Sequence, residues 1–315
     1  MKKILITGSE GFIGSHLCEL LCREGYNIRA MCLYNSFGYK GWLDSIDSNS
    51  LENIEIINGD IRDRSALLEA MRGCDAVINL AALIAIPYSY SAPESYVDTN
   101  IKGTLNLLEN ARILGTEKII HTSTSEVYGT AQYVPINEEH PLNAQSPYAA
   151  TKIAADQLAL SYHKSFDLPV AIARPFNTYG PRQSNRAVIP TIISQISKGE
   201  RSLRLGSLTP TRDFNFVEDT ARGILKILES PKSIGEVINL GSGFEISIGD
   251  TVKLISEVMN VDVDIIQENQ RIRPEKSEVE RLFCDPSKAQ KLLNWQANFA
   301  GTEGFKNGLK KRYIN

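Results

Sequence analysis

The chain of 315 residues is poor in the features that mark specialised protein classes. Its five cysteines, Cys18, Cys22, Cys32, Cys74 and Cys284, are odd in number, form no CxxC and match no zinc template. Reduced thiols in a cytoplasmic protein are expected, with no metal site. Positive charge is not in excess, with 34 Lys+Arg against 37 Asp+Glu and a net charge of −3. A nucleic-acid footprint of clustered cations is therefore not expected, and an anionic ligand must be met by a few placed cations. No long hydrophobic run occurs. The longest apolar stretch, Ala76 to Tyr88, is broken by Asn79 and Pro87 and falls short of the ~20 residues that span a bilayer. Met1-Lys2-Lys3 leads into an apolar run that stops at Gly8, too short for a signal segment. A cytoplasmic location without membrane association follows as an expectation. Internal repeats and low-complexity tracts are absent.

What the first half does contain is an alternation of short apolar runs with longer helical patterns. Short β-branched runs at Lys3–Thr7, Asn27–Leu33, Ile54–Asn58, Ala76–Leu80, Lys118–Thr122 and Val170–Arg174 read as strands. Helical patterns at Phe12–Glu24, Arg64–Arg72, Pro93–Leu114 and Ser146–Ser165 lie between them. Near-continuous apolar strands joined by helices predict an α/β fold, a doubly wound parallel sheet covered on both faces. Gly, Pro and Arg become frequent from Asn177 to Asp213, and a further strand at Glu236–Leu240 precedes Gly241-Ser242-Gly243. Residues 1–175 are read as the sheet domain, with the 236–240 strand returning to it. Residues 176–315 are read mainly as a smaller C-terminal substrate-binding lobe.

Gly8, Gly11 and Gly14 form GxxGxxG directly after the first strand and opening the first helix. Glycine there permits a tight turn and close backbone approach to a pyrophosphate, which the helix N-terminus then receives. The sheet domain is accordingly expected to be of Rossmann type and to hold a dinucleotide. Phe12 and Ile13 in the turn, Asn35 and Ser36 after the second strand, Ile61 after the third and Ala81 after the fourth complete the candidate cofactor set. The acid expected at the end of the second strand is missing, because Cys32 occupies that position. No Arg follows, and the nearest downstream cation is Lys40. NAD is expected and NADP is the alternative, since an Arg would be needed near the 2′-phosphate. Asp60 is a candidate partner for the adenine amine, or else a helix N-cap.

Tyr148 and Lys152 form YxxxK within a helix, one turn apart on one face. A nearby ammonium would lower the phenol pKa, so Tyr148 is a candidate general base. Between this pair and the glycine turn lies the Ser/Thr cluster His121-Thr122-Ser123-Thr124-Ser125-Glu126-Val127-Tyr128-Gly129 at the carboxyl end of a strand, where α/β sheets place ligands.

GSEGFIG, STSEVYG, SPYAATK and RPFNTYGPR together resemble the NAD(P)-dependent epimerase/dehydratase branch of the extended short-chain dehydrogenases. The resemblance runs over nearly the whole chain, through TRDFNFVEDTARG and RPEKSEVERLFCDPSKAQKLLNW. Thr124-Ser125-Glu126 is similar to the triplet of GDP-mannose 4,6-dehydratases and nucleotide-sugar decarboxylases. AALIAIPYSYSAPESYVDTNIKGTLN with YNSFGYKGWLD looks most like LegB-type dehydratases, which act on nucleotide-linked N-acetylglucosamine on the way to nonulosonic acids.

The resemblance implies a nucleotide-sugar 4,6-dehydratase with tightly bound, regenerated NAD(P). Thr124, Ser125, Glu126, Tyr148 and Lys152 would be catalytic, with Tyr148 and Lys152 also touching the cofactor. Asn177, Arg212 and Arg273 would meet the substrate diphosphate, and Ile84 and Tyr88 the sugar. Lys102 reads as a solvated lysine, and Glu278 as a ribose contact or a surface charge. A nucleotide-sugar decarboxylase and a 4-epimerase or 4-keto reductase are the alternatives. The family also implies a homodimer in which helices 93–114 and 146–165 pair into a four-helix bundle.

Overall fold

The computed structural model describes residues 2–46, 54–268 and 273–311. Seven strands form one parallel sheet: β1 (Lys3–Thr7), β2 (Asn27–Leu33), β3 (Ile54–Gly59), β4 (Ala76–Asn79), β5 (Lys118–Thr122), β6 (Val170–Pro175) and β10 (Val237–Leu240). Their order is β10-β6-β5-β4-β1-β2-β3. β4 and β5 are buried at every position, which is why they read as continuous apolar runs rather than alternating ones. The predicted strand boundaries, those of the returning strand included, agree with these to within one residue.

Both faces are covered. Helices α1 (Phe12–Arg23) and α8 (Val217–Glu229) bury Leu17, Leu21, Ile224 and Leu225 on one side, together with Trp295. On the other, α2 (Arg64–Met71), α5 (Gly103–Leu114) and α6 (Pro147–Phe166) bury Leu67, Met71, Leu107, Leu108 and Ala159. Ser146 caps α6, its Oγ accepting the Ala149 N–H at 3.1 Å, and Pro147 occupies the first turn where no N–H is needed.

The predicted 93–114 helix has a defect. Pro93–Tyr96 (α4) and α5 are joined by a π turn over Val97–Lys102. The wide turn turns Asn100 inward, where Nδ2 donates to Leu83 O and Thr151 Oγ1, each at 3.0 Å, and Oδ1 accepts Leu83 N–H at 2.9 Å. The loop after β4 is thereby fastened to α6, which carries YxxxK.

The remainder forms a smaller lobe. β7 (Asn177–Tyr179), β9 (Thr211–Phe216) and β11 (Glu245–Ser247) make a three-stranded sheet, and β8 (Ser202–Leu205) pairs with β12 (Asp264–Gln267). α7 (Val188–Ser197), α9 (Ile248–Met259) and α11 (Gly301–Lys310) pack over an aromatic core of Tyr179, Phe214, Phe216 and Phe305. Neither small sheet is foreshadowed by the sequence reading, since strands of three or four residues carry too little periodicity. Among the described residues, no helix is long and apolar enough to cross a membrane.

Candidate active site

The strand order reverses between β1 and β4, and ligands of open α/β sheets bind at the carboxyl ends flanking such a reversal. Gly8 follows β1 there with φ +65°, and a Cβ on it would lie 2.8 Å from Ala81 N, just past β4. A Cβ on Gly14 would collide with Gly8 O and Ser9 Cα. The turn is thus packed as tightly as a pyrophosphate cradle requires, and its residues fit a dinucleotide. The partly buried side chains of Phe12 and Ile13 pack against the lobe core, and Ile13 packs against the sheet core as well. Ala81 N–H donates to Thr7 Oγ1 at 3.2 Å, and Ile61 is buried against Gly103.

Two predicted cofactor residues are engaged with their own loops. Asn35 Oδ1 accepts the N–H groups of Phe37 and Tyr39, each at 3.2 Å, beside exposed Ser36. Asp60 pairs with Arg62, whose guanidinium holds its carboxyl below the usual range. Asp60 is not the N-cap of the following helix. Asp63 is, accepting Ser65 N–H at 2.9 Å and Ala66 N–H at 3.1 Å.

Thr124, Ser125 and Glu126 follow β5 in a short 3-10 turn, where Thr124 Oγ1 accepts the Glu126 N–H at 3.2 Å. Ser125 and Glu126 are buried. Tyr148 rises from α6 into the same space, beside Thr124 and in the field of Glu126. Tyr96 stands edge-on to it at 6.3 Å. Burial pushes the Tyr148 phenol up, the Thr124 hydroxyl opposes this, and Glu126 adds to it. This corrects the expectation that Lys152 leaves the phenol depressed. Lys152 lies one turn away, but Nζ donates to Thr122 O at 2.6 Å, and burial brings its own pKa down to about 8.

Beneath this pair lies a polar cluster that the sequence reading missed. Asp156, fully buried one turn beyond Lys152, accepts from Ser123 Oγ at 2.7 Å and from Arg174 Nε and Nη2 at 3.1 and 2.9 Å. His121 Nε2 stands 3.5 Å from it. Burial alone would raise the Asp156 carboxyl, but contact with His121 and the charges of Arg174 and Lys152 hold it low. Arg174 Nη1 continues to Tyr128 OH at 3.0 Å, which donates to Asn239 Oδ1 of β10 at 2.8 Å. Helical spacing from Lys152 to Asp156 was the available signal. Arg174 gives none, since an arginine ending an apolar strand reads as exposed.

The lobe brings Arg212 and Arg273 together on Glu278 Oε1, at 3.1 and 3.6 Å. Glu278 is thus an ion-pair partner rather than an isolated surface charge. Arg212 is buried and feels Glu126 as well as Glu278. The turn that carries Glu126 and the arginines of the lobe therefore lie near one another. Two buried polar atoms in this region lack hydrogen-bond partners, Asn177 Oδ1 and Arg273 Nη1. Ile84 and Tyr88 are exposed at 66% and 49%, whereas neighbouring Ala85 and Ser89 serve packing, bonded to Tyr96 OH and Ile86 O. Lys102 is exposed. His16 and His163 lie on helices and contact carbonyls of Pro181 and Leu168, at 3.0 and 2.9 Å.

Residues 5–308 match the family model described as GDP-mannose 4,6 dehydratase. The chain belongs to the NAD-dependent epimerase/dehydratase family. This bears out the resemblance read from its motifs. The family member is 34% identical over 314 residues to the UDP-glucuronate 4-epimerase of Thermodesulfobacterium geofontis, covering 97% of this chain and 94% of that protein. Among solved structures it resembles the dTDP-glucose 4,6-dehydratase DesIV of Streptomyces venezuelae, crystallised with NAD, at TM-score 0.88 and 28% identity over 99% and 97% of the two chains. The UDP-glucuronic acid 4-epimerase of Bacillus cereus, crystallised with UDP-glucuronic acid and NAD, matches at TM-score 0.86 and 30% identity, covering 99% and 98%. As an epimerase/dehydratase, the protein is an enzyme acting on nucleotide sugars.

Proposed function

We propose that this enzyme is a nucleotide-sugar 4,6-dehydratase using tightly held NAD, with an NDP-N-acetylglucosamine-like substrate of the kind leading to nonulosonic acids. The observation that carries the reading is a buried glutamate, Glu126, near Thr124 and Tyr148. Epimerisation at C4 needs one acid–base group at the 4-hydroxyl. Dehydration needs a second, to take the C5 proton.

The glycine turn at Gly8, Gly11 and Gly14 would hold the pyrophosphate of NAD, with Ala81, Tyr148 and Lys152 beside the nicotinamide half. NAD, when bound, supplies the acceptor for the C4 hydrogen and returns that hydrogen at C6. With Lys152 and the positively charged nicotinamide of bound NAD beside it to favour its phenolate, Tyr148 would take the 4-hydroxyl proton while Thr124 hydrogen-bonds the same oxygen. The resulting 4-ketone acidifies C5–H, and Glu126 removes that proton. Glu126 would then deliver it to the departing C6 hydroxyl, which leaves as water. As the hydrogen returns at C6, C5 would take a new proton from solvent by way of Glu126, and Tyr148 would release the 4-hydroxyl proton to solvent. Ser125 stands where other dehydratases carry an aspartate, and its hydroxyl is too weak an acid to replace one, so this double duty falls to Glu126. Arg212, Arg273 and the unpartnered amide oxygen of Asn177 line the region that would receive the diphosphate, arginine being suited to bidentate phosphate binding.

A cytoplasmic homodimer is part of the same reading. All five cysteines are free, and the helices expected to pair expose Leu105, Ile113 and Phe166, as a buried interface would require.

The test is turnover in deuterium oxide. Wild type should release water from the sugar and place deuterium at C5, and Glu126→Gln should lose both by about 10²–10⁴-fold, the range for a general acid–base group. The 4-epimerase reading, favoured by the 34% identity to a 4-epimerase, predicts a sugar of unchanged mass inverted at C4, without C5 deuterium.

A further inference from the structure

The second strand of a dinucleotide-binding sheet ordinarily ends in the carboxylate that accepts the adenosine ribose hydroxyls and repels a 2′-phosphate. Here β2 ends in Cys32-Leu33, and the buried Cys32 thiol rests 3.5 Å from Ser9 Oγ. No side chain of β2 can take that role. A carboxylate nevertheless reaches the place from another segment. Glu10 lies inside the glycine-rich turn, where a negative charge is at odds with phosphate binding. Its side chain is directed away from the turn, to the end of β2, and Oε1 accepts the Leu33 N–H at 3.0 Å. Oε2 is shielded from solvent and has no hydrogen-bond donor. A half-satisfied buried carboxylate is costly unless a donor completes it, and ribose hydroxyls are donors.

The segment after β2 keeps Glu10 in place. Trp42 N–H donates to Glu10 O at 3.0 Å. Gly41 adopts φ +55° beside it, where a Cβ would come within 2.6 Å of that carbonyl. The charges gathered around Cys32 are Glu10, Lys40 and Asp44, two carboxylates against one ammonium. Asp44 also accepts the Lys40 backbone N–H at 3.0 Å. The local balance is hostile to an added phosphate.

We infer that Glu10 receives the adenosine ribose and selects NAD over NADP, replacing from the glycine turn the acid that β2 lacks. The inference rests on the cofactor reading above.

Its test is direct. Cofactor extracted from the purified enzyme identifies the resident dinucleotide, and calorimetric titration of the stripped protein with NAD and with NADP gives the preference. Glu10→Gln keeps an acceptor for the Leu33 N–H but removes the charge. It should bind NAD on the order of tenfold to a hundredfold more weakly, the loss for a hydrogen bond to a charged acceptor. It should bind NADP more tightly than wild type does, so the preference collapses. Glu10→Ala should weaken NAD binding at least as much, and if it fails to fold, the Gln variant still decides. A Gln variant with the wild-type NAD-to-NADP ratio, or a wild type that binds both equally, overturns the role of Glu10 and leaves the cofactor reading standing. A wild type that binds neither overturns both.

Discussion

Breaking the buried Asp156–Arg174 pair should be among the most damaging single changes outside the proposed catalytic side chains. Both groups are fully enclosed, with side-chain exposures of 0% and 3%. Asp156 receives two hydrogen bonds from the guanidinium, and the same guanidinium reaches Tyr128 OH at 3.0 Å and lies over the Tyr128 ring at 5.1 Å. Arg174→Met leaves the carboxylate with Ser123 and His121 in contact and only the Lys152 charge nearby. Removing one partner of a buried ion pair costs about 3–5 kcal/mol. At roughly 2 °C per kcal/mol for a chain of this size, that lowers Tm by about 6–10 °C. Asp156→Leu should cost a similar amount for the converse reason. The double variant Asp156→Leu/Arg174→Met leaves no orphaned charge, so it should be more stable than the sum of the single losses by about 1–3 kcal/mol. Urea unfolding of the four proteins measures this. Single variants within about 1 kcal/mol of wild type, or strictly additive losses, would refute the claim that the two charges hold each other in place.

Two further outcomes follow from the site. Lys152 titrates near 8 in the folded protein against 10.5 ordinarily. Between those values the unfolded chain binds a proton that the folded chain does not, so this group's contribution to stability rises as pH rises from about 8 to 10.5. Unfolding free energies of wild type and Lys152→Met across that window should diverge in favour of wild type, and parallel curves would contradict the lowered pKa. Gly14→Ala puts a methyl group into Gly8 O and Ser9 Cα; purified protein should retain less than a tenth of the wild-type dinucleotide, measured by extraction, and full retention would show that the turn is not the pyrophosphate cradle.

Much of the sheet was legible because its strands are buried on both faces and punctuated by helices with ordinary caps. Lys3–Thr7 and Lys118–Thr122 could be bounded to the residue for that reason. The proposed catalytic residues stood out in the sequence because they lie in short motifs, and the fold brings Thr124, Glu126 and Tyr148 together. What escaped is non-local. Asp156, His121 and Arg174 come from a helix and two strands and acquire meaning only when the sheet stacks them. Glu10 looks like a loop acid until β2 is seen to lack one and the turn to reach it. The π turn at Val97–Lys102 leaves no composition signal at all, because it is imposed by where Asn100 must reach. The phenol of Tyr148 was read from one neighbour, whereas burial and Glu126 act on it together.

The most direct test of the central claim is mass spectrometry of UDP- and GDP-N-acetylglucosamine, each incubated with purified enzyme and no added cofactor. The account predicts loss of one water from one of these sugars, with the dinucleotide still bound to the protein afterwards. Unchanged mass from both would contradict it.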